Sequence, residues 1–310
     1  MAAHFLDRLL AAIQAPLPQH WLSRVVLAFT RWRLRPFKNF MIRWICRAYD
    51  VDLTEAVVSD VRSFASFNDF FTRALKPEAR PLAGDDGTVV SPVDGAVSQA
   101  SVIAGGRIFQ AKGHDFGLVE LLGGDEERAQ PFQGGSFANL YLSPRDYHRI
   151  HLPLAGRLVE TVRIPGRLWA VNPATARAVP RLFARNERVA AIFETAHGPL
   201  ALVMVGAIFV SAIETVWGGL ETPPHRSAVS VVEHRGQNLV FDRGAEVARF
   251  NMGSTVLVLL PPGVAEWAPE IVPGAAVRMG QRLGETARGR STSDGTSTAP
   301  VSSTRESGDA

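Results

Sequence analysis

The sequence predicts an α+β fold in which a β-rich core lies between an amphipathic helical N-terminal region and a disordered C-terminal tail. Apolar residues recur at helical spacing through residues 1–50, and segments rich in Val, Ile and Phe dominate from residue 88 onward. With 310 residues, of which 46% are hydrophobic and 20% charged, the chain has the balance of a folded protein. We place the boundaries at residues 1–60, 61–285 and 286–310.

Three amphipathic helices are predicted in the N-terminal region. Their apolar residues recur at helical spacing over 5–13, 22–32 and 37–48, and prolines separate the three segments. Residues 1–50 also carry eight Arg or Lys against two Asp, so the basic character of the chain is concentrated there. Arginines interrupt each apolar stretch well before the ~20 residues that a bilayer span needs. These helices are therefore expected to lie on a membrane and not to cross it.

Aromatic rings interleaved with arginine suit the headgroup layer of an anionic membrane. Nucleic acid is the rival partner for a basic aromatic segment, but the helical periodicity favours the membrane, and no nucleic-acid partner is predicted. A plainer alternative is that the helices dock on the protein's own core. The residues predicted to contact the membrane are Trp21, Phe29, Trp32, Phe40 and Trp44.

The central region is predicted to be mostly β-structure. Short helices are expected at Leu53–Val58, Phe67–Leu75 and Phe116–Leu122. Between Thr286 and Ala310, 11 of 25 residues are Ser or Thr, so this segment lacks the apolar residues that would offset the entropy of ordering it. The predicted strands are Thr88–Ile103, Ser136–Ser143, Gly156–Ile164, Val189–Thr195, Ala201–Thr215, Asn238–Phe241 and Thr255–Leu260.

Two histidines stand out as candidates for chemistry. His148 and His151 lie three residues apart in YLSPRDYHRIHLP, residues 141–153, and two imidazoles on one segment suit acid–base work or metal ligation. A zinc site would need a third protein ligand, for which His114 or Asp94 could serve. Asp94 lies in SPVDGAV, residues 91–97, where it is either a turn residue or the carboxylate that orients a histidine.

A third candidate is the Gly253–Ser254 pair, which interrupts the apolar run RFNMGSTVLVLL at residues 249–260. A glycine in a strand often marks a bulge or a tight turn. The segment lacks the flanking glycines of a nucleophile elbow, which disfavours an ordinary serine hydrolase. The single cysteine, Cys46, cannot form an intramolecular disulfide.

Taken together and in order, six motifs resemble those of the phosphatidylserine decarboxylase family. The resemblance covers about residues 1–284 and includes the basic helical N-terminus. Any one of these motifs is short, but six in register make a specific match. They are SPVDGAV at 91–97, AKGHDF at 111–116, YLSPRDYHRIHLP at 141–153, LFARNERV at 182–189, ETVWGG at 214–219 and MGST at 252–255.

The resemblance implies a bacterial, membrane-bound, pyruvoyl-dependent enzyme that cuts its own backbone between Gly253 and Ser254. A β chain of residues 1–253 and an α chain of residues 254–310 would result. It implies that Asp94, His151 and Ser254 form the self-cleavage triad, with His151 as base and Asp94 as its orienting acid. Ser254 then becomes the pyruvoyl group that forms a Schiff base with the substrate, and His148 donates the proton in decarboxylation. Neither a metal nor an added cofactor is implied.

The implied reaction converts phosphatidylserine in an anionic membrane to phosphatidylethanolamine and CO2, as a step of phospholipid biosynthesis. The resemblance further implies a peripheral protein on the cytoplasmic face of the inner membrane, made of its own α and β chains and paired as a homodimer. Two alternatives remain open from the residues alone. One is a metal-dependent hydrolase that uses His148, His151 and Asp94, and the other is a non-catalytic membrane-binding module.

Overall fold

A computed structural model describes residues 2–111, 113–209, 212–251 and 255–287. Within these ranges short 3₁₀ turns at Pro77–Ala79 and Gln130–Phe132 accompany the α-helices. The three N-terminal helices are confirmed, and none of the helices in the described ranges is long and apolar enough to cross a membrane. The α-helices are α1 (Ala2–Gln14), α2 (Gln19–Thr30), α3 (Arg35–Tyr49), α4 (Phe67–Phe71), α5 (Leu118–Leu121), α6 (Glu126–Ala129), α7 (Pro173–Ala178) and α8 (Leu182–Arg185).

The rest of the described chain is rich in strands, which confirms the α+β class with a β-rich core. The strands are β1 (Thr88–Val90), β2 (Gly95–Val102), β3 (Arg107–Ala111), β4 (His114–Gly117), β5 (Ser136–Tyr141), β6 (Arg149–His151), β7 (Gly156–Ile164), β8 (Arg188–Thr195), β9 (Gly198–Val205), β10 (Ile213–Thr215), β11 (Gly219–Thr222), β12 (Ser230–Glu233), β13 (Val240–Phe241), β14 (Glu246–Phe250), β15 (Thr255–Leu260), β16 (Ala265–Trp267), β17 (Ala276–Val277) and β18 (Arg282–Thr286).

One large antiparallel sheet organises the core, with strand order β12-β7-β8-β9-β15-β5-β2-β17 and β13 added beside β7. Its central strand β15 is buried along its whole length. Because successive side chains in a strand point to opposite faces, Leu257 and Leu259 enter one hydrophobic cluster while Val256 and Val258 enter the other. The sheet therefore has a packed core on both faces, which explains why β15 reads as a continuous apolar run.

A smaller sheet, β11-β10-β14-β6, determines where the histidine segment lies, that is, residues 141–153 with His148 and His151. Strand β6 pairs antiparallel with β14, with Arg149 opposite Arg249 and His151 opposite Glu246. Beyond the paired strands, the Phe250 amide donates a hydrogen bond to the His148 carbonyl oxygen at 3.0 Å. The histidine segment thus runs alongside the strand that leads into residues 252–254.

The N-terminal helices dock on the core by one side and expose aromatic rings on the other. In α1, Asp7 accepts a hydrogen bond from Arg177 Nε at 2.9 Å, and in α3 the buried Ile42 and Ile45 join Phe67 and Phe70 in a separate cluster. All five aromatic residues predicted to contact a membrane are exposed, from 45% for Phe29 to 68% for Phe40. Docking on the core and outward presentation of the aromatic rings therefore occur together.

All three predicted short helices are wrong in whole or in part, two of them because of pairing with a neighbouring segment. Residues 53–58 form a turn because the Val57 and Lys76 amides donate to the Ala74 and Glu55 carbonyl oxygens, which ties this segment to residues 74–76. Phe116 belongs to β4 and pairs with Ile108, so the helix predicted from Phe116 to Leu122 shortens to α5. Local periodicity predicted helix at both places, but pairing with a neighbouring segment determined the outcome.

The third predicted helix, Phe67–Leu75, shortens to α4 because Thr72 ends it. At the C-terminus, Thr286 was predicted to begin the disordered tail. It is instead the buried last residue of β18, paired with Ala265, and the rest of the predicted tail from residue 288 lies outside the described residues.

Candidate functional site

His151 is buried and both of its ring nitrogens have partners. Nδ1 lies 2.8 Å from the Gly244 carbonyl oxygen, and Nε2 lies 2.9 Å from the Tyr147 hydroxyl. Because a carbonyl oxygen only accepts hydrogen bonds, Nδ1 carries the proton and Nε2 is the basic nitrogen that accepts from Tyr147. Burial lowers the pKa of His151, although the Gly244 carbonyl opposes this shift. The ring is therefore a neutral base of defined tautomer at neutral pH.

Asp94 lies close to this histidine segment but does not bind it. The His151 amide donates to the Pro92 carbonyl oxygen at 2.9 Å, which places the loop containing Asp94 beside β6. The Asp94 carboxylate instead accepts from Arg80 Nε at 2.9 Å, from Arg80 Nη2 at 2.6 Å and from the Met279 amide at 2.8 Å. The expected hydrogen bond from His151 to Asp94 is therefore not formed, because Arg80 and Met279 occupy both carboxylate oxygens and Gly244 occupies Nδ1.

Gly95 explains why the loop carries an Asp-Gly pair. A Cβ atom at this position would lie 2.2 Å from the Tyr141 carbonyl oxygen, where β2 packs closely against β5. Only glycine tolerates this approach without a backbone shift. The glycine thus fixes the backbone that carries the Asp94 side chain.

His148 is completely buried and stacks on Phe71, with ring centroids 4.0 Å apart and an interplanar angle of 18°. Neither ring nitrogen has a hydrogen-bond partner among the described residues. Burial, and then the positive charge of Arg73, lower its pKa to about 3, while the backbone carbonyls of Ser143 and Pro144 oppose the shift. His148 is therefore neutral at neutral pH.

The predicted cleavage site, Gly253–Ser254, lies outside the described residues. Both of its flanks are held to the histidine segment. On one side Phe250 binds the His148 carbonyl, and on the other Thr255 pairs with Tyr141 in β5. The Thr255 hydroxyl is buried and has no partner among the described residues. The residues before and after positions 252–254 thus both contact the segment 141–151.

Asn251 anchors the first of these flanks. Its amide donates to the Ala212 carbonyl at 2.8 Å, its Nδ2 donates to Glu214 Oε2 at 3.0 Å, and its Oδ1 accepts from Asn68 Nδ2 at 2.9 Å. Burial favours the neutral carboxyl of Glu214, but hydrogen bonds from Arg249 and Asn251 outweigh it and lower the pKa of Glu214. A charged carboxylate therefore holds the residue that precedes the predicted cleavage segment.

A cavity of about 300 Å³ adjoins these residues. Asp94, Tyr147, Arg80 and Arg73 are among the side chains that line it. A larger cavity of about 420 Å³ is lined by none of Asp94, His148 and His151. Neither histidine lines the smaller cavity, but Asp94 and Tyr147, which binds His151, both do, so this cavity is the one next to the candidate site.

Three residues of this site were missed in the sequence. Tyr147 had a usable signal because it stands four residues before His151 in the same motif. Arg80 and Arg73 had no comparable local signal, since their partners come from distant parts of the chain. Contacts between residues far apart in the sequence therefore bring Arg80 and Arg73 into this site.

The proposed metal ligands are not grouped. Among the described residues no set of three or more His, Cys, Asp or Glu side chains could hold a metal ion. His114 lies elsewhere, with Nε2 3.1 Å from the Arg177 carbonyl oxygen. The donor set expected for the metal-dependent hydrolase is therefore not assembled by these residues.

A neutral histidine of defined tautomer, beside a cavity lined by ionisable side chains, defines an enzyme site for acid–base chemistry. A sequence model of the phosphatidylserine decarboxylase family matches residues 67–285, and a second model, described as PSD, matches residues 9–50. The chain belongs to the phosphatidylserine decarboxylase family, which confirms the resemblance drawn from its six motifs.

Curated relatives extend this match over most of the chain. A protein of Bordetella pertussis is 55% identical over 281 residues, which cover 90% of this chain and 95% of the relative. A protein of Pseudomonas fluorescens is 54% identical, covering 89% and 97%, and one of Methylococcus capsulatus is 53% identical, covering 89% and 96%. All three are named phosphatidylserine decarboxylase proenzyme.

Proposed function

We propose that this chain is a proenzyme that cuts itself between Gly253 and Ser254 and then decarboxylates phosphatidylserine to phosphatidylethanolamine. The observation that carries the proposal is the double attachment of the flanking residues. Phe250 is hydrogen-bonded to His148 and Thr255 is paired with Tyr141, so both flanks are attached to residues 141–153, which include His148 and His151. The relatives named as proenzymes support the same reading.

Self-cleavage needs a base for the Ser254 hydroxyl. The basic Nε2 of His151 takes the proton, the serine oxygen attacks the Gly253 carbonyl carbon, and the peptide C–N bond breaks to leave an ester and a free amine. Loss of the α-proton of residue 254 then expels the Gly253 carboxylate. The remaining dehydroalanine is hydrolysed by water to a pyruvoyl group and ammonia. Asp94 acts on this step through the charge it places near His151, since Arg80 and Met279 hold its oxygens.

The residues beside position 254 fit a pyruvoyl group. The Thr255 hydroxyl and both nitrogens of His148 are buried polar atoms without partners among the described residues, which makes them available to a carbonyl group and to the substrate. A pyruvoyl group at position 254 would supply an electrophile for the substrate amine and a sink for the electron pair left by CO2 loss. His148 returns a proton to the substrate carbon, and Phe71 holds its ring in place by stacking.

The N-terminal helices bring the enzyme to its lipid substrate. Exposed rings at Trp21, Trp32 and Trp44 enter the headgroup layer, and the neighbouring arginines attract anionic lipid. We propose a peripheral protein on the cytoplasmic face of the inner membrane. Its active unit consists of the β chain 1–253 and the α chain 254–310, and two such units pair as a homodimer.

Intact mass under denaturing conditions tests the cleavage. We expect two species in the purified protein, the smaller beginning at position 254 with a pyruvoyl group in place of serine. Ser254→Ala should give one folded, inactive chain. Recovery of two chains from that variant would refute the assignment of the cleavage site.

Release of CO2 tests the reaction. Phosphatidylserine in anionic vesicles should lose CO2 with the processed wild-type protein and not with Ser254→Ala. A single intact wild-type chain that hydrolyses esters with bound zinc would establish the metal-dependent hydrolase instead. Vesicle binding without any CO2 release from a single intact chain would establish the membrane-binding module.

A further inference from the structure

Arg73 is a buried cation that has no carboxylate partner among the described residues. Its side chain follows α4 and is only 6% exposed. Nη2 donates to the Arg145 carbonyl oxygen at 2.9 Å, and the guanidinium lies over the Phe70 ring at 5.4 Å from its centroid. Nε and Nη1 are buried and have no hydrogen-bond acceptor among the described residues. Two nitrogens of one arginine, which carry three N–H groups, are thus unsatisfied.

Other buried arginines in the described chain are satisfied. Arg80 donates to Asp94, Glu55 and the Ala79 carbonyl oxygen. Arg188 donates to four backbone carbonyl oxygens, those of Glu120, Leu121, Ala184 and Asn186. A buried charge with unsatisfied donors is costly, so an arginine kept in this state indicates a partner other than the described residues.

The position of Arg73 indicates what this partner is. Arg73 lines the cavity of about 300 Å³ beside Asp94 and Tyr147. Its Nε and Nη1 are covered by protein atoms, so the guanidinium must turn toward the cavity to meet a ligand. Because guanidinium donors match the geometry of oxyanions, a phosphate or carboxylate group is the ligand that satisfies them best.

We propose that Arg73 binds an oxyanion of the lipid headgroup, either the phosphodiester or the serine carboxylate. This inference rests on the proposed function and identifies a substrate contact within it. It also gives a role to the charge of Arg73, which after burial is the second cause that lowers the pKa of His148. An oxyanion paired with Arg73 offsets the positive charge that now disfavours protonation of His148. Substrate binding would thereby help His148 to hold the proton that it later donates.

Competition by two amine-free probes tests the site in the processed enzyme. Glycerol 3-phosphate carries a phosphate and no carboxylate, and N-acetylserine carries a carboxylate and no phosphate. With Arg73→Gln, we expect KM for a short-chain phosphatidylserine and the inhibition constant of one probe to rise by about tenfold or more. Self-cleavage should remain complete, because Arg73 contacts neither His151 nor Asp94 through a hydrogen bond.

Arg278→Gln is the matched control. This arginine also lines the cavity, but its side chain is exposed and already pairs with Glu55 at 3.2 Å, so we expect changes below about threefold. Arg73→Lys should give an intermediate effect and serves if Arg73→Gln does not fold. A selective effect on glycerol 3-phosphate assigns the phosphodiester to Arg73, and a selective effect on N-acetylserine assigns the carboxylate.

Unchanged inhibition by both probes in the Arg73 variants, or equal changes in Arg278→Gln, would overturn the oxyanion site. Failure of the proposed function has a different signature, because the wild-type chain would then remain uncut. In that case calorimetric titration of both probes into the intact wild-type and Arg73→Gln chains still decides the question. Equal affinities would reject the site, and a loss of affinity of about tenfold would support it.

Discussion

The Tyr147 hydroxyl donates a hydrogen bond to Nε2 of His151 over 2.9 Å, while Nδ1 of the same ring is held by Gly244. The basic nitrogen of the proposed cleavage base is therefore already engaged by a phenol. Burial raises the pKa of Tyr147 well above its ordinary value, so the phenol stays protonated at neutral pH. We therefore expect the serine proton to reach His151 through the tyrosine, with the Tyr147 oxygen accepting the serine proton as its own proton moves to Nε2.

Tyr147→Phe should slow self-cleavage by about 100-fold, the usual size of an acid–base contribution. The ring is retained and Gly244 still sets the tautomer of His151, so the change isolates the hydroxyl. The fraction of intact chain is followed by gel electrophoresis after cell-free synthesis. Tyr49→Phe, at an exposed tyrosine, is the control and should cleave normally. A wild-type rate in Tyr147→Phe would mean that His151 reaches the serine directly.

Arg80→Met should destabilise the fold by about 3–5 kcal/mol, because it leaves the buried Asp94 carboxylate without its main partner. Urea unfolding of the uncleaved Ser254→Ala chain measures this. Arg282→Met removes an exposed pair with Glu270 at 3.1 Å and should cost less than about 1 kcal/mol. Similar losses of unfolding free energy in both variants would show that the buried Arg80–Asp94 pair stabilises the fold no more than an exposed ion pair does.

Acid should destabilise the protein through His148. Its pKa falls from an ordinary 6.5 to about 3, so between these values the unfolded chain binds a proton that the native ring does not. Stability is therefore complete above pH ~7 and is lost as pH falls, by about 2 kcal/mol near pH 5. In the Ser254→Ala background, His148→Leu should remove this part of the difference between urea unfolding at pH 7 and pH 5. His197→Leu, in a turn, should keep it. An unchanged difference in His148→Leu would contradict the burial of a neutral ring.

Gly95→Ala should cost about 2–4 kcal/mol, since its Cβ would meet the Tyr141 carbonyl oxygen at 2.2 Å. The strain falls on the loop that carries Asp94, so self-cleavage should slow as well. Gly236→Ala is the control because no heavy atom lies within 4 Å of its Cβ position. Thermal unfolding and the fraction of cut chain measure the two effects. Normal cleavage in a stable Gly95→Ala protein would separate this loop from the reaction.

Membrane association should depend on the exposed tryptophans. Replacing both Trp21 and Trp44 by Ser should weaken binding to anionic vesicles by about tenfold or more, because two rings no longer enter the headgroup layer. Co-sedimentation at low and high salt measures the aromatic and the charged contributions separately. Val240→Ser, an exposed residue of β13, should bind as wild type. If the double variant co-sediments with anionic vesicles as the wild type does, these two rings do not contribute to membrane binding.

Local patterns in the sequence were sufficient for much of the fold. The apolar spacing predicts α1 to α3, and β7 and β15 begin and end at the predicted residues. These elements can be predicted from sequence because their helical or extended form depends on side chains within the element and on the flanking Pro and Gly. The six motifs likewise identified the family before any contact was known.

Partners distant in the chain decided the rest. Residues 53–58 and Phe116 are not helical as predicted, because their backbones pair with residues 74–76 and with Ile108. Asp94 and His151 were both identified from sequence, yet Arg80 and Gly244 determine what each of them binds. The same holds for Arg73. Its Nε and Nη1 have no acceptor among the described residues because burial takes them out of contact with water, and no local sequence pattern indicates this. The sequence alone therefore identified the family and predicted Asp94, His148, His151 and Ser254 as its chemical residues. Tertiary packing decided the protonation and the partners of Asp94, His148 and His151, because both depend on groups that only the folded chain brings within a few ångströms.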